Sequence, residues 1–173
     1  MRKVIIALLA LMLIALPLTA GTIGASKKDS VGLGLNIGTN TGLGVKYGFG
    51  DFDLLANIGL ADFRVDPFAL GVDAALSYQV YDIEIDRNNH MPVTVGIGGN
   101  VNFVFDDKAK IDVSLLVPVG IEYTFNKVPF NLYLRLAPGV QIFKNSDVDF
   151  GFDFQANIGV LYMFGNLYRY LTI

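Results

Sequence analysis

Residues 150–164 read FGFDFQANIGVLYMF. Every even position from Phe150 to Phe164 is apolar or aromatic, while Gly151, Asp153, Gln155, Asn157 and Gly159 occupy five of the seven odd positions. Successive Cβ atoms leave a strand on opposite sides, so a period of two marks a β-strand with two unlike faces.

The same alternation recurs toward the N-terminus. Residues 130–142 set Phe130, Leu132, Leu134, Leu136, Pro138, Val140 and Ile142 against Asn131, Tyr133, Arg135, Gly139 and Gln141. Residues 111–125, 93–105 and 68–81 repeat it, residues 52–60 follow it until it blurs after Ala61, and two Gly-rich stretches, 31–37 and 43–49, bring the expected strands to eight. Turn-forming runs separate them, among them Gly50-Asp51, Asp66-Pro67 and Lys144-Asn145-Ser146-Asp147. Regular strands joined by short turns predict an all-β, antiparallel up-and-down meander. A meander with one apolar face in lipid must close into a barrel, because an open edge would leave backbone groups unpaired. With both termini periplasmic, the longest expected connection, Asp82–Pro92, would fall on the periplasmic side, where membrane barrels keep their turns short; either this loop is an exception or the expected strand count is off by one.

The N-terminus carries a different pattern. Arg2 and Lys3 precede an unbroken apolar run, Val4–Leu16; Pro17 ends it, and Leu18-Thr19-Ala20 supplies small residues before Gly21. That is the three-part design of a secretory signal peptide over residues 1–20, with an alternative cut after Ala25. The run is shorter than the ~20 residues of a membrane-spanning helix. The organisation expected is thus a signal peptide, a barrel over 31–164 and a tail over 165–173. Removing Arg2 and Lys3 takes the formal charge from −3 to −5, which argues against a nucleic-acid partner. There is no Cys, so neither a lipid anchor on Cys nor a disulfide framework is available. Hydrophobic residues make up 53% of the chain and Gly numbers 19. High hydrophobicity without a long apolar run after the leader is how a transmembrane barrel hides its lipid face.

A soluble lipocalin-like barrel in the periplasm would show the same alternation with its faces reversed. Its exterior should be rich in Lys and Glu, whereas the polar face here is mostly Gly, Asn, Asp, Ser, Thr and Gln, residues that fit inside a narrow barrel. Aromatics gather at the ends of the apolar face. Tyr47, Tyr78, Tyr123, Phe125, Phe130, Tyr162 and Phe164 fall at one rim, and Phe68, Phe103, Phe105, Phe150 and Phe152 at the other. Two aromatic girdles around an apolar band fit a bilayer.

The segments GLGLNIGTNTGLGVKYG, VGIGGN, VSLLVPVGIEYTF, VPFNLYLRLAPGV and ANIGVLYMF resemble a family of small bacterial outer-membrane barrels of spirochaetal type, a domain of unknown function. The resemblance spans about Val31 to Phe164 and is most specific at Val117–Gly120 and Ala137–Gly139. It implies an outer-membrane location, with the lipid bilayer and the barrel-insertion machinery as partners, and no reaction. Arg is usual in that family where Leu116 and Leu161 stand here, and the chain continues beyond the terminal Phe164 to Ile173.

Candidate chemistry is sparse. The Gly clusters form no GxGxxG opening a helix. His90, the single His, sits in the polar stretch Asp86–His90, without the further ligands a zinc site requires or the paired Ser of a hydrolase; a solvated loop is expected there. No enzyme activity, cofactor or metal site is expected. Five charges, Lys46, Asp53, Asp73, Glu122 and Arg135, share the polar phase and are expected inside the barrel. A turn at Phe49-Gly50 would set Lys46 opposite Asp53. Pairing Phe125 with Phe130 would make Glu122 and Arg135 diagonal neighbours. An eight-stranded barrel is just wide enough for its own side chains, so these charges predict a self-neutralising plug. The alternatives are a narrow porin-like channel and a barrel that holds a small ligand.

Overall fold

The computed structural model describes residues 30–86, 89–106, 109–125 and 128–164. The expected leader and the tail over 165–173 lie outside them. The described residues form nine strands and no helix: β1 Ser30–Gly38, β2 Asn40–Phe49, β3 Phe52–Val65, β4 Phe68–Asp86, β5 Asn89–Phe105, β6 Ala109–Leu116, β7 Val119–Thr124, β8 Phe130–Lys144 and β9 Asp147–Phe164. All pairings are antiparallel. The first and last strands pair, Val31 facing Phe164, and the sheet closes into an up-and-down ring.

Nine strands stand where eight are expected because the run 111–125 is broken. β6 and β7 both pair with β5 and β8 and share one position in the ring. The interruption is Val117-Pro118, where proline offers no N–H to the ladder. The neighbours bridge it: Gly96 N–H donates to Pro118 O (2.9 Å) and Val117 N–H to Pro138 O (2.8 Å). The alternation survives, with Ser114, Leu116, Pro118, Gly120 and Glu122 buried and Leu115 and Val119 exposed.

The expected connection Asp82–Pro92 is mostly strand. β4 and β5 run on as a hairpin in which Asp82 faces Pro92, Ile83 faces Met91 and Glu84 faces His90. A register shift between Gln79 and Tyr81 advances β4 by one residue, and a one-residue slip exchanges the two faces. The outward residues therefore change from even to odd, and Tyr81, Ile83 and Ile85 are exposed. The sequence YDIEID keeps its period of two but out of phase, which is why it reads as a connection. His90 accordingly lies on a strand, its Nδ1 3.1 Å from Asp82 Oδ2. β3 likewise runs past the blur at Ala61 to Val65. Asp62 and Phe63 have φ of 51° and 56°, and the register against β4 shifts between Leu60 and Val65.

Outward side chains are apolar throughout, including Leu33, Leu35, Ile37, Ile97, Leu134 and Ile158. Near the end that carries Ser30, aromatic rings form a near-continuous belt. Tyr47, Phe49, Phe52 and Tyr78 follow one another at 5.6, 5.9 and 5.0 Å, and Phe130, Tyr162 and Phe164 at 5.7 and 5.1 Å. Phe68 and Phe105 meet at 5.8 Å at the opposite end.

Tight turns set the register. Gly50-Asp51 closes Phe49 onto Phe52, with Gly50 at φ 59°. Asn145-Ser146 closes Lys144 onto Asp147 with φ of 53° and 70°, the left-handed pair that suits a two-residue hairpin. A Cβ at Gly50 would meet nothing within 4 Å, so its cost is conformational alone. Gly50→Ala should lower stability by about 1 kcal/mol in urea unfolding, and Gly50→Asn by less, since Asn tolerates this region.

Candidate functional site

Closing the ring removes the polar faces of the strands from water, and every group there needs a partner. The five charges expected inside are all buried, from 1% exposed at Asp73 to 9% at Asp53. They form two clusters. In one, the Lys46 ammonium donates to Glu122 Oε2, with Asp53 Oδ2 3.7 Å away. In the other, Arg135 Nη2 donates to Asp73 Oδ1.

This differs from the expected partnerships. The two-residue turn places Asp53 opposite Gly48 and Lys46 opposite Leu55, so Lys46 and Asp53 meet diagonally rather than face to face. In the β7–β8 hairpin Phe125 N–H does donate to Phe130 O (3.0 Å), and Glu122 faces Tyr133 while Arg135 faces Gly120. The register is the one expected, but Glu122 takes its cation from β2 and Arg135 its carboxylate from β4. Long inward side chains reach across a narrow lumen as readily as along its wall.

Asparagines surround the second cluster. Asp73 Oδ1 also accepts from Asn57 Nδ2 (3.0 Å), and Oδ2 from Asn40 Nδ2 (2.9 Å), which reaches Asn100 Oδ1 as well (2.8 Å). Asn36 Nδ2 donates to Asn40 O (2.5 Å) and reaches Asn157 Oδ1 (3.3 Å). The Tyr133 hydroxyl donates to Asn36 Oδ1 (2.8 Å), with Asn57 Oδ1 at 3.1 Å. Sequence reading left these residues without a role. Their signal was present: Asn36, Asn57, Asn100, Asn131 and Asn157 all fall on the inward phase of their strands.

Tyr133 also carries the interior's apolar element. Its ring packs with Leu55 and Leu161, and Met163 leans on the three. Gly159, directly opposite on β9, leaves the space: a Cβ there would come within 2.4 Å of the ring. This septum separates the asparagine network from a vestibule at the Ser30 end. The vestibule holds about 270 Å³ and is lined by Lys46, Asp51, Asp53, Glu122, Asn131 and Met163, with Ser30, Gln79, Thr94 and Thr124 among their neighbours. Asn131 Nδ2 ties the wall together, donating to Thr124 Oγ1 (2.9 Å) and reaching Glu122 Oε2 (3.3 Å).

Such an interior can neutralise charge, hold strands in register and present a polar cup. Among the described residues no three His, Asp or Glu are placed to hold a metal ion. Residues 24–163 match the model of a family described as "Protein of unknown function (DUF3996)". No curated protein and no solved structure matches the chain.

The pairing makes the second cluster testable. Arg135→Ala leaves the Asp73 carboxylate buried without its cation and should cost about 3–5 kcal/mol of unfolding free energy. Adding Asp73→Ala should recover part of that loss. In double-mutant cycles the Arg135–Asp73 coupling should exceed that between Arg135 and Glu122.

Proposed function

The chain belongs to the DUF3996 family, whose function is unknown, and we propose that it is a non-enzymatic outer-membrane β-barrel of spirochaetal type with a filled polar interior and a structural or interaction role. The observation that carries this reading is the distribution of side chains across the wall. Apolar residues face outward over whole strands, aromatic belts bound them, and the paired charges lie inside. Water outside such a wall would leave a large apolar area exposed, whereas a bilayer accommodates both the apolar band and its aromatic rims. No helix among the described residues is long and apolar enough to cross a membrane; the crossing would be made by strands. The leader over residues 1–20 would direct export, and the barrel-insertion machinery would complete assembly.

A narrow porin-like channel is the competing reading. The Leu55–Tyr133–Leu161 septum and the bonded asparagine network favour a plug, because a conducting lumen needs a continuous wet path. The mature protein should fractionate with outer membranes, resist urea extraction and migrate differently on gels before and after boiling. A soluble periplasmic product of unchanged mobility would overturn the membrane reading. Leu134→Arg, outward and mid-strand, should cost about 2–4 kcal/mol in refolding titrations from lipid vesicles. In planar bilayers the wild type should conduct little, and steady single-channel currents would transfer the lead to the channel.

A further inference from the structure

β1 closes the ring along only part of β9. Its cover ends at Gly38, which faces Asn157. One residue further, in the turn to β2, Thr39 N–H donates to Ala156 O (3.0 Å) and Ala156 N–H donates to Thr39 Oγ1 (3.1 Å). From there to Asp147, β9 has β8 as its one strand partner among the described residues. A notch is therefore left in the wall above the short β1–β2 turn. On its far side β3 leaves strand geometry at Asp62 and Phe63, with φ of 51° and 56°. On the β9 side, Gly151–Gln155 keeps a regular register with Ala137–Gln141.

In an antiparallel strand the N–H and C=O of one residue point to the same edge, and alternate residues share that edge. Ala156 turns both groups toward Thr39, so Phe154 and Phe152 turn theirs into the notch. The register agrees, because Phe154 faces Pro138, which has no N–H to give. The Phe154 N–H is taken by the Asp153 carboxylate of its own strand (2.8 Å), a side chain doing what a neighbouring strand would do. The Phe154 C=O and both groups of Phe152 open onto the notch. Such an edge is a template for one more strand. Along it stand Phe150, Phe152 and Phe154, 59%, 63% and 49% exposed, with Asp147, Asp149 and Asp153 among them.

We infer that this edge of β9 is an interaction site for an extended segment of another protein, one in which apolar and basic residues alternate, and that the segment adds as an antiparallel strand. Its apolar residues lie against the phenylalanines and exchange backbone hydrogen bonds with Phe152 and Phe154. Its basic residues meet the aspartates. A second copy is the poorer occupant, because its β9 would bring the same aspartates to an acidic strand. The inference gives the proposed interaction role a place on the wall, and it does not require lipid around the barrel. A soluble product that bound such a segment would defeat the membrane reading and leave the edge site standing.

Fluorescence anisotropy of a labelled, end-capped heptapeptide of alternating valine and lysine, titrated with the detergent-refolded full chain at low ionic strength, tests this. Saturable binding is expected. N-methylation of the two central valines, whose N–H groups face β9 in the added strand, should weaken it at least about tenfold. N-methylation of the lysines, whose N–H groups face away, should change it by less than about twofold. Exchanging the lysines for glutamates should weaken it about threefold or more. Phe152→Pro removes an edge N–H without touching the ladder to β8, so it should abolish binding with unchanged β-sheet circular dichroism. The methylated peptides decide the matter even if that variant fails to refold. Absence of binding, or equal affinity for the valine-methylated and lysine-methylated peptides, would overturn the proposal. So would a dimer in sedimentation that Phe152→Pro dissolves, which would assign the edge to a second copy.

Discussion

The Asp73 carboxylate is almost completely removed from water, and the rest of the interior is organised around satisfying it. It accepts from Arg135, Asn57 and Asn40, which places one anion at the junction of β4, β8, β3 and β2. A charge in that position is tolerable only if opposite charge and hydrogen-bond donors surround it. The asparagines meet this demand well. Each offers two donors and an acceptor on a short stem, so several fit in a lumen too narrow for longer polar side chains. Once the ring is closed, a network of this kind holds non-adjacent strands in fixed relation, which neighbouring ladder bonds alone do not do.

The interior is divided rather than uniform. Leu161 is fully buried, and with Leu55 and Tyr133 it separates the asparagine network from the Lys46–Glu122–Asp53 cluster at the open end. Leu116 and Leu161 both face inward here. Tyr133 fits its place because Gly159 opposite it lacks a side chain. The tyrosine covers the glycine, and its hydroxyl joins the polar network beyond.

Much of this was legible in the sequence because it is local. Strand positions, the inward or outward phase of each residue and the burial of Lys46, Asp53, Asp73, Glu122 and Arg135 follow from a period of two, which any short stretch reveals. Even the register of the β7–β8 hairpin follows from its turn. The errors arose where one residue changed the count. Pro118 split a strand without disturbing its phase, and the shift after Gln79 reversed the phase of YDIEID, so that a projecting hairpin read as a loop.

The sequence by itself determined an all-β chain of alternating strands, with apolar side chains on one face and five charges on the other. It could not choose partners among those charges, since that choice depends on distances across the lumen between strands far apart in the chain. Closure of β1 onto β9 brings β2 within reach of β7 and β4 within reach of β8, and only then does Lys46 find Glu122 and Asp73 find Arg135. The septum and vestibule are decided at the same level, because a cavity exists only where side chains from several strands meet or fail to meet.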